Sequence, residues 1–171
     1  IIASKDVDAI LIATPTGTHA DLIEAASNAG KAILCEKPVS LSVERILNCL
    51  KVVEKNKSNL MIGFNRRFDP NFGALEKRIR NGDIGTVELA TIISRDPAPP
   101  PVDYIKGSGG LYRDMMIHDF DLARFLVGEE FVVVHALGAS LVDKAIGEAG
   151  DVDTAAVQMQ TASGKICVIT N

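Results

Sequence analysis

The sequence predicts an α/β chain in two parts, a parallel doubly wound sheet followed by an α+β domain with a largely antiparallel open sheet. Two patterns carry this expectation. Before about residue 67, three short apolar runs alternate with stretches of helical periodicity, the β-α-β-α-β order of a parallel sheet. After it, strand-like runs follow one another without intervening helices, as in an antiparallel sheet. The boundary is placed near residues 66–70, giving parts 1–67 and 68–171.

Val7–Ala13 is a continuous apolar run, read as a buried strand, and Thr14-Pro15-Thr16-Gly17 ends it. Thr18 or Thr16 can cap a helix over His19–Ala29, which Gly30 stops. Lys31–Cys35 is a second buried strand, ended by Glu36-Lys37-Pro38. Ser40 or Ser42 opens a helix reaching Asn56, with Val43, Ile46, Leu47, Leu50 and Val53 at helical spacing. Leu60–Phe64 is the third strand. Beyond the boundary, a helix over Pro70–Arg80 ends at Asn81-Gly82, and Val87–Ser94 reads as a strand. Asp96–Ser108 is expected to be a proline-rich loop, and Gly110–Leu126 one continuous helix stopped by Gly128. Phe131–Leu137 (extending as far as Val142), Thr154–Gln160 and Lys165–Thr170 are strands, the last two a hairpin through Thr161-Ala162-Ser163-Gly164.

Composition narrows the functional classes. The 171 residues are 47% hydrophobic and 23% charged, which suits a folded core rather than disorder. No apolar run approaches the roughly 20 residues of a bilayer span, so no membrane partner is expected. A net charge of −4 without a basic stripe argues against nucleic acid. Cys35, Cys49 and Cys167 form no C-x-x-C and fit free thiols in a reducing, cytoplasmic compartment. The chain opens at Ile1, close to a strand, and Lys165–Asn171 lies in another strand-like run. An internal piece of a larger protein is therefore expected.

In open parallel sheets ligands sit beyond the carboxyl ends of the strands. Those ends carry Thr14-Pro15-Thr16, Glu36-Lys37-Pro38 and Asn65-Arg66-Arg67. Loops are polar in any case, but three such ends facing one crevice lean toward a site. The phosphate fingerprint G-x-G-x-x-G is absent after the first strand; Gly107-Ser108-Gly109-Gly110 imitates it, but Tyr112 stands at the third glycine position. If the sheet binds a dinucleotide, its first βαβ unit belongs upstream.

The segment Gly110–Leu126 is the most informative. On a regular helix Leu111, Met115, Leu122, Phe125 and Leu126 form one apolar stripe. His118 falls in it, Asp114 lies one turn earlier, and Asp121 sits at its edge. A buried carboxylate and imidazole are costly unless paired or used. The pair is either a packed histidine satisfied by an aspartate or a general base with its orienting acid. Packing or capping accounts for His19 and His135. No set of residues has metal-ligand spacing, so no metal is expected.

These motifs occur in an order that resembles the Gfo/Idh/MocA oxidoreductases: Ala13-Thr14-Pro15 with His19, Glu36-Lys37-Pro38, Gly63-Phe64-Asn65-Arg66-Arg67-Phe68-Asp69, and Asp114-x-x-x-His118. Ser94–Pro101, Ser108–Asp121 and Gly147–Thr154 resemble the bacterial inositol dehydrogenases of that family. The resemblance implies a Rossmann domain followed by an α/β domain whose open sheet mediates a homo-oligomer, a dimer or tetramer. It implies NAD, with NADP left open, and oxidation of a secondary alcohol on a cyclic polyol such as myo-inositol, a step of inositol catabolism.

Carried over by motif, Lys37, Asp114 and His118 are the catalytic trio, and the Lys37–Pro38 bond is cis. Thr14, Pro15, Thr16, His19, Glu36, Lys37, Pro38 and Asn65 are the cofactor-side residues. Arg66 and Asp96, with Lys37, Asp114 and His118, are the substrate-side residues; a surface charge and a turn residue are the plainer readings of Arg66 and Asp96. Without the glycine-rich turn the chain alone is expected to bind cofactor poorly and to be inactive. The alternatives are a relative acting on another sugar or diol, and a non-catalytic oligomerisation or binding module.

Overall fold

A computed structural model describes residues 1–171, which divide into two compact units, Ile1–Phe64 and Asn65–Asn171. The first is a three-stranded parallel sheet of β1 (Ala9–Ile12), β2 (Ala32–Cys35) and β3 (Leu60–Ile62), in that order. Ile10 pairs with Ile33, and Leu34 with Met61. Helices α1 (His19–Asn28) and α2 (Val43–Asn56) join the strands. Their apolar stripes close over alternate strand residues, so Ile12, Ile23, Ala26, Ile33, Cys35, Cys49 and Val53 make one core.

Continuous apolar runs predict strands buried on both faces. Instead Leu11 is 68% exposed, and Leu34 and Met61 on the same face are also exposed. Side chains alternate across a strand, and the helical core of this unit takes only one set. Of the two serines proposed to cap α2, Ser42 accepts the Arg45 N–H at 3.3 Å. Neither Thr16 nor Thr18 caps α1; they form a 3₁₀ turn in which the Thr18 hydroxyl donates to the Pro15 carbonyl at 2.8 Å.

The second unit opens with α3 (Pro70–Arg80), capped by Asp69, whose carboxylate accepts from the backbone of Asn71 and Phe72. Its sheet runs β4 (Leu89–Ile93), β7 (Ile166–Thr170), β6 (Thr154–Thr161), β5 (Phe131–Ala139). Pairing is antiparallel except for β4 with β7, so the sheet is mixed at one edge. The hairpin between β6 and β7 forms, with Gly164 at φ +97° in its turn. Ile92, Met116, Leu122, Ala123, Val157, Met159, Cys167 and Ile169 form the core beneath the sheet.

Three expectations for this unit need correction. The end of the proline-rich segment is a helix, α4 (Val102–Ser108), preceded by Pro101, and a further short helix, α6 (Lys144–Glu148), follows β5. Both are too short to show an apolar period. The continuous helix from Gly110 is in fact a π-turn, Leu111–Met115, leading into α5 (Ile117–Val127). The Met116 N–H reaches back five residues to the Leu111 carbonyl at 2.8 Å. The wider turn rotates everything after it relative to a regular helix. The buried face is therefore Met116, Asp119, Leu122, Ala123 and Val127, and Phe125 and Leu126 are only half-buried. No helix is long and apolar enough to cross a membrane.

Candidate active site

The proposed catalytic residues divide between the units. In the first, the carboxyl ends of the parallel strands form a polar rim. Thr14, Pro15 and Glu36 are exposed, Thr16 and Lys37 half-buried and Pro38 buried. The Lys37–Pro38 peptide is cis.

His19 is the pin of this rim. Its ring is 1% exposed, with Nδ1 2.8 Å from the Pro38 carbonyl oxygen and Nε2 2.6 Å from the Thr14 carbonyl oxygen. The side chain is spent on backbone and turned into the fold. Through these two contacts His19 ties the end of β1 to the Lys37–Pro38 turn. Thr14 and Thr18 hydroxyls meet at 2.6 Å and brace the loop that follows β1. Gly63 follows β3 at a close approach, for a Cβ there would lie 3.1 Å from both Glu36 carboxylate oxygens.

In the second unit Asp114 sits in the π-turn and His118 in the first turn of α5, both half-buried. The i, i+4 spacing thus spans a π-to-α junction rather than one regular helix. The Tyr104 phenol, brought in by α4, hydrogen-bonds Asp114; partial burial, then this acceptor, hold its pKa above the ordinary tyrosine value. A cavity of about 580 Å³ lies here, walled by Asp96, Tyr104, Gly110, Asp114, Asp151 and Asn171 among others. Of the proposed substrate-side residues in this unit, Asp96 and Asp114 line it.

Arg66 is anchored by neighbours within its own unit. Its guanidinium pairs with Asp119, which is fully buried, and reaches the Ser94 hydroxyl at 3.4 Å. The other Asp119 oxygen accepts from the Asn171 amide at 3.2 Å. Arg67 grips Asp121 through two bonds of 2.8 and 2.6 Å and lies 5.2 Å from the Phe125 ring centre. Sequence reasoning missed Asp119, Asn171 and Tyr104. The adjacent arginines and the Asp119-Phe120-Asp121 pattern are the available signal, two cations matched to two acids. Nothing local marks Tyr104 or Asn171. No cluster of three or more His, Cys, Asp or Glu is arranged to hold a metal ion.

Comparison with known proteins decides the family. Residues 1–64 match the model of an oxidoreductase family with an NAD-binding Rossmann fold, and residues 72–171 match the Gfo/Idh/MocA C-terminal domain. The chain belongs to the Gfo/Idh/MocA oxidoreductase family. Among family members, it is 63% identical to the inositol 2-dehydrogenase of Rhizobium meliloti over all 171 residues, which are 52% of that protein. It superposes on the myo-inositol dehydrogenase of Corynebacterium glutamicum with a TM-score of 0.93 at 47% identity, covering 99% of this chain and 50% of that one. A scyllo-inositol dehydrogenase from Lactobacillus casei, solved with NAD(H) and scyllo-inositol, matches with a TM-score of 0.88 at 33% identity, covering 99% and 52%. The chain spans about half the length of these Gfo/Idh/MocA relatives.

Proposed function

We propose that this chain carries the acid–base machinery of an NAD-dependent dehydrogenase that oxidises a secondary alcohol of a cyclic polyol, myo-inositol first among them. One observation carries the reading: Asp114, two residues before the π-turn closes, lines one cavity with Asp96 and Tyr104. Carboxylates and a phenol suit a ligand whose edge is all hydroxyl groups. The relative solved with NAD(H) and scyllo-inositol supports the same ligand class.

In this reading His118 takes the hydroxyl proton as the alcohol is oxidised. Asp114 orients His118 and stabilises its charged form. Lys37 donates to the reacting oxygen and stabilises negative charge developing there. Asp96 and Arg66 meet the remaining ring hydroxyls. Bound NAD supplies the hydride acceptor. Thr14, Pro15, Thr16, Glu36, Lys37, Pro38 and Asn65 would hold it, since the exposed strand-end rim suits a nucleotide. The fit covers only part of the dinucleotide, because these 171 residues contain no G-x-G-x-x-G turn for the pyrophosphate. Exposed Leu89, Ile93, Val133 and Leu137 on the outer face of the second sheet support self-association as a dimer or tetramer, and three free buried thiols support a cytoplasmic setting.

The test is NAD reduction by the full-length protein with myo-inositol and a panel of related polyols. His118→Ala is expected to lower kcat by about 10²–10⁴-fold. Normal turnover in that variant would remove the proposed base.

A further inference from the structure

We propose that Asp151 is a positioning residue for the reaction, its carboxylate clamping the start of the π-turn and thereby holding Asp114 at the cavity; this rests on the dehydrogenase reading above. The Leu111 N–H donates to both Asp151 oxygens, at 3.0 and 3.2 Å. This N–H opens a helical turn and has no intrahelical acceptor, and Asp151 supplies one from 40 residues away in sequence. The Leu111 carbonyl in turn accepts the Met116 N–H at 2.8 Å, closing the π-turn around Asp114. One carboxylate thus anchors the ring of backbone from which the Asp114 side chain projects.

Gly110 is built for the same contact. Its backbone, at φ +73° and ψ −170°, lies in a region open essentially to glycine alone. A Cβ at this position would overlap the Asp151 carboxylate. The acid therefore rests directly on the glycine backbone. The loop that presents Asp151 is itself held at both ends. On one side the Asp151 N–H donates to the Ile146 carbonyl at 3.1 Å. On the other, the Asp153 carboxylate accepts from the backbone of Leu141, Val142 and Asp143 at 2.8–2.9 Å. Asp151, Gly110, Leu111 and Asp114 all border one cavity, so a shift in the clamp is a shift in the site.

The experiment compares Asp151→Ala, Asp151→Asn and Gly110→Ala in the full-length protein. Asn keeps an oxygen that can accept the Leu111 N–H; Ala does not. Misplacing a catalytic group by an ångström costs up to about 100-fold, so Asp151→Ala is expected to lower kcat about 10–100-fold with KM for NAD little changed. Asp151→Asn should stay within about threefold of the parent, and Gly110→Ala should fall with Asp151→Ala. Amide hydrogen exchange supplies a readout independent of activity: Met116 should exchange about tenfold faster in Asp151→Ala. Full turnover in Asp151→Ala, equal impairment by Asn and Ala, or unchanged Met116 protection would overturn the clamp. Loss of fold in both Asp151→Ala and Gly110→Ala would also overturn it, in favour of a purely structural role. A parent protein that oxidises no cyclic polyol would sink the functional reading instead, with the Met116 exchange still deciding the clamp.

Discussion

Cutting the Arg67–Asp121 pair from its two sides should give unequal losses. Asp121 is 5% exposed, whereas the Arg67 side chain is 37% exposed. Arg67→Ala leaves a buried carboxylate with neither of its two charge-assisted bonds and also removes the contact with Phe125. Removing one partner of a buried pair costs roughly 3–5 kcal/mol; with the arginine side chain over a third in solvent, about 3 kcal/mol is expected here. Asp121→Asn removes the charge that needed a partner, keeps one acceptor, and leaves an arginine that water can reach, so about 1–2 kcal/mol is expected. Urea unfolding followed by circular dichroism measures both. With m near 1–3 kcal/mol/M, Arg67→Ala should lower the midpoint by about 1–3 M and Asp121→Asn by about half as much. The double variant should be no less stable than Arg67→Ala alone, because the stranded charge is gone. A loss below about 1 kcal/mol for Arg67→Ala, or an equal or larger loss for Asp121→Asn, would refute this account of the desolvated carboxylate.

Four further outcomes are expected. Lys37→Ala should depress kcat with myo-inositol in the full-length protein by about 10²–10³-fold, as loss of a donor to a developing oxyanion does; unchanged kcat would remove Lys37 from the chemistry. Burial pushes the Cys35 and Cys167 thiols from 9.0 to about 11, so at pH 8 the folded protein should alkylate about 100-fold more slowly than the unfolded chain. Because those folded-state values are raised, the associated stability is complete below pH 9 and is lost as pH climbs toward 11. Glu129 behaves oppositely: bonds from Lys165 and Ser163 lower it from 4.5 to about 2, so its contribution is present above pH 4.5 and lost as pH falls through about 2, and Glu129→Gln should flatten the unfolding midpoint across that window. Asp69→Ala, which strips the α3 cap, should cost about 1 kcal/mol in the same urea titration.

Much of the first unit can be read locally. Apolar runs of strand length, Gly30 after α1 and Ser42 before α2 mark its elements, because caps and stops act within a few residues. The proposed trio of Lys37, Asp114 and His118 rests on the resemblance of their motifs to the family. For Arg66 and Arg67 the sequence offers only matching charges, since Asp119 and Asp121 lie 53 and 54 residues away and packing alone brings them close. Helices α4 and α6 escape because one or two turns cannot display a period, and their order comes from neighbours rather than propensity.

The alternation of elements, the caps that bound them and the chemical types gathered at strand ends are written in the chain itself, for all are consequences of short-range sterics and hydrogen bonding. Which face of the segment after Gly110 turns inward is settled only in three dimensions. A single π-turn, held by an acid from a distant loop, rotates α5 so that Asp119 rather than His118 enters the core. Helical phase is the running sum of every preceding residue's rotation, and one added residue in a turn resets it for all that follow.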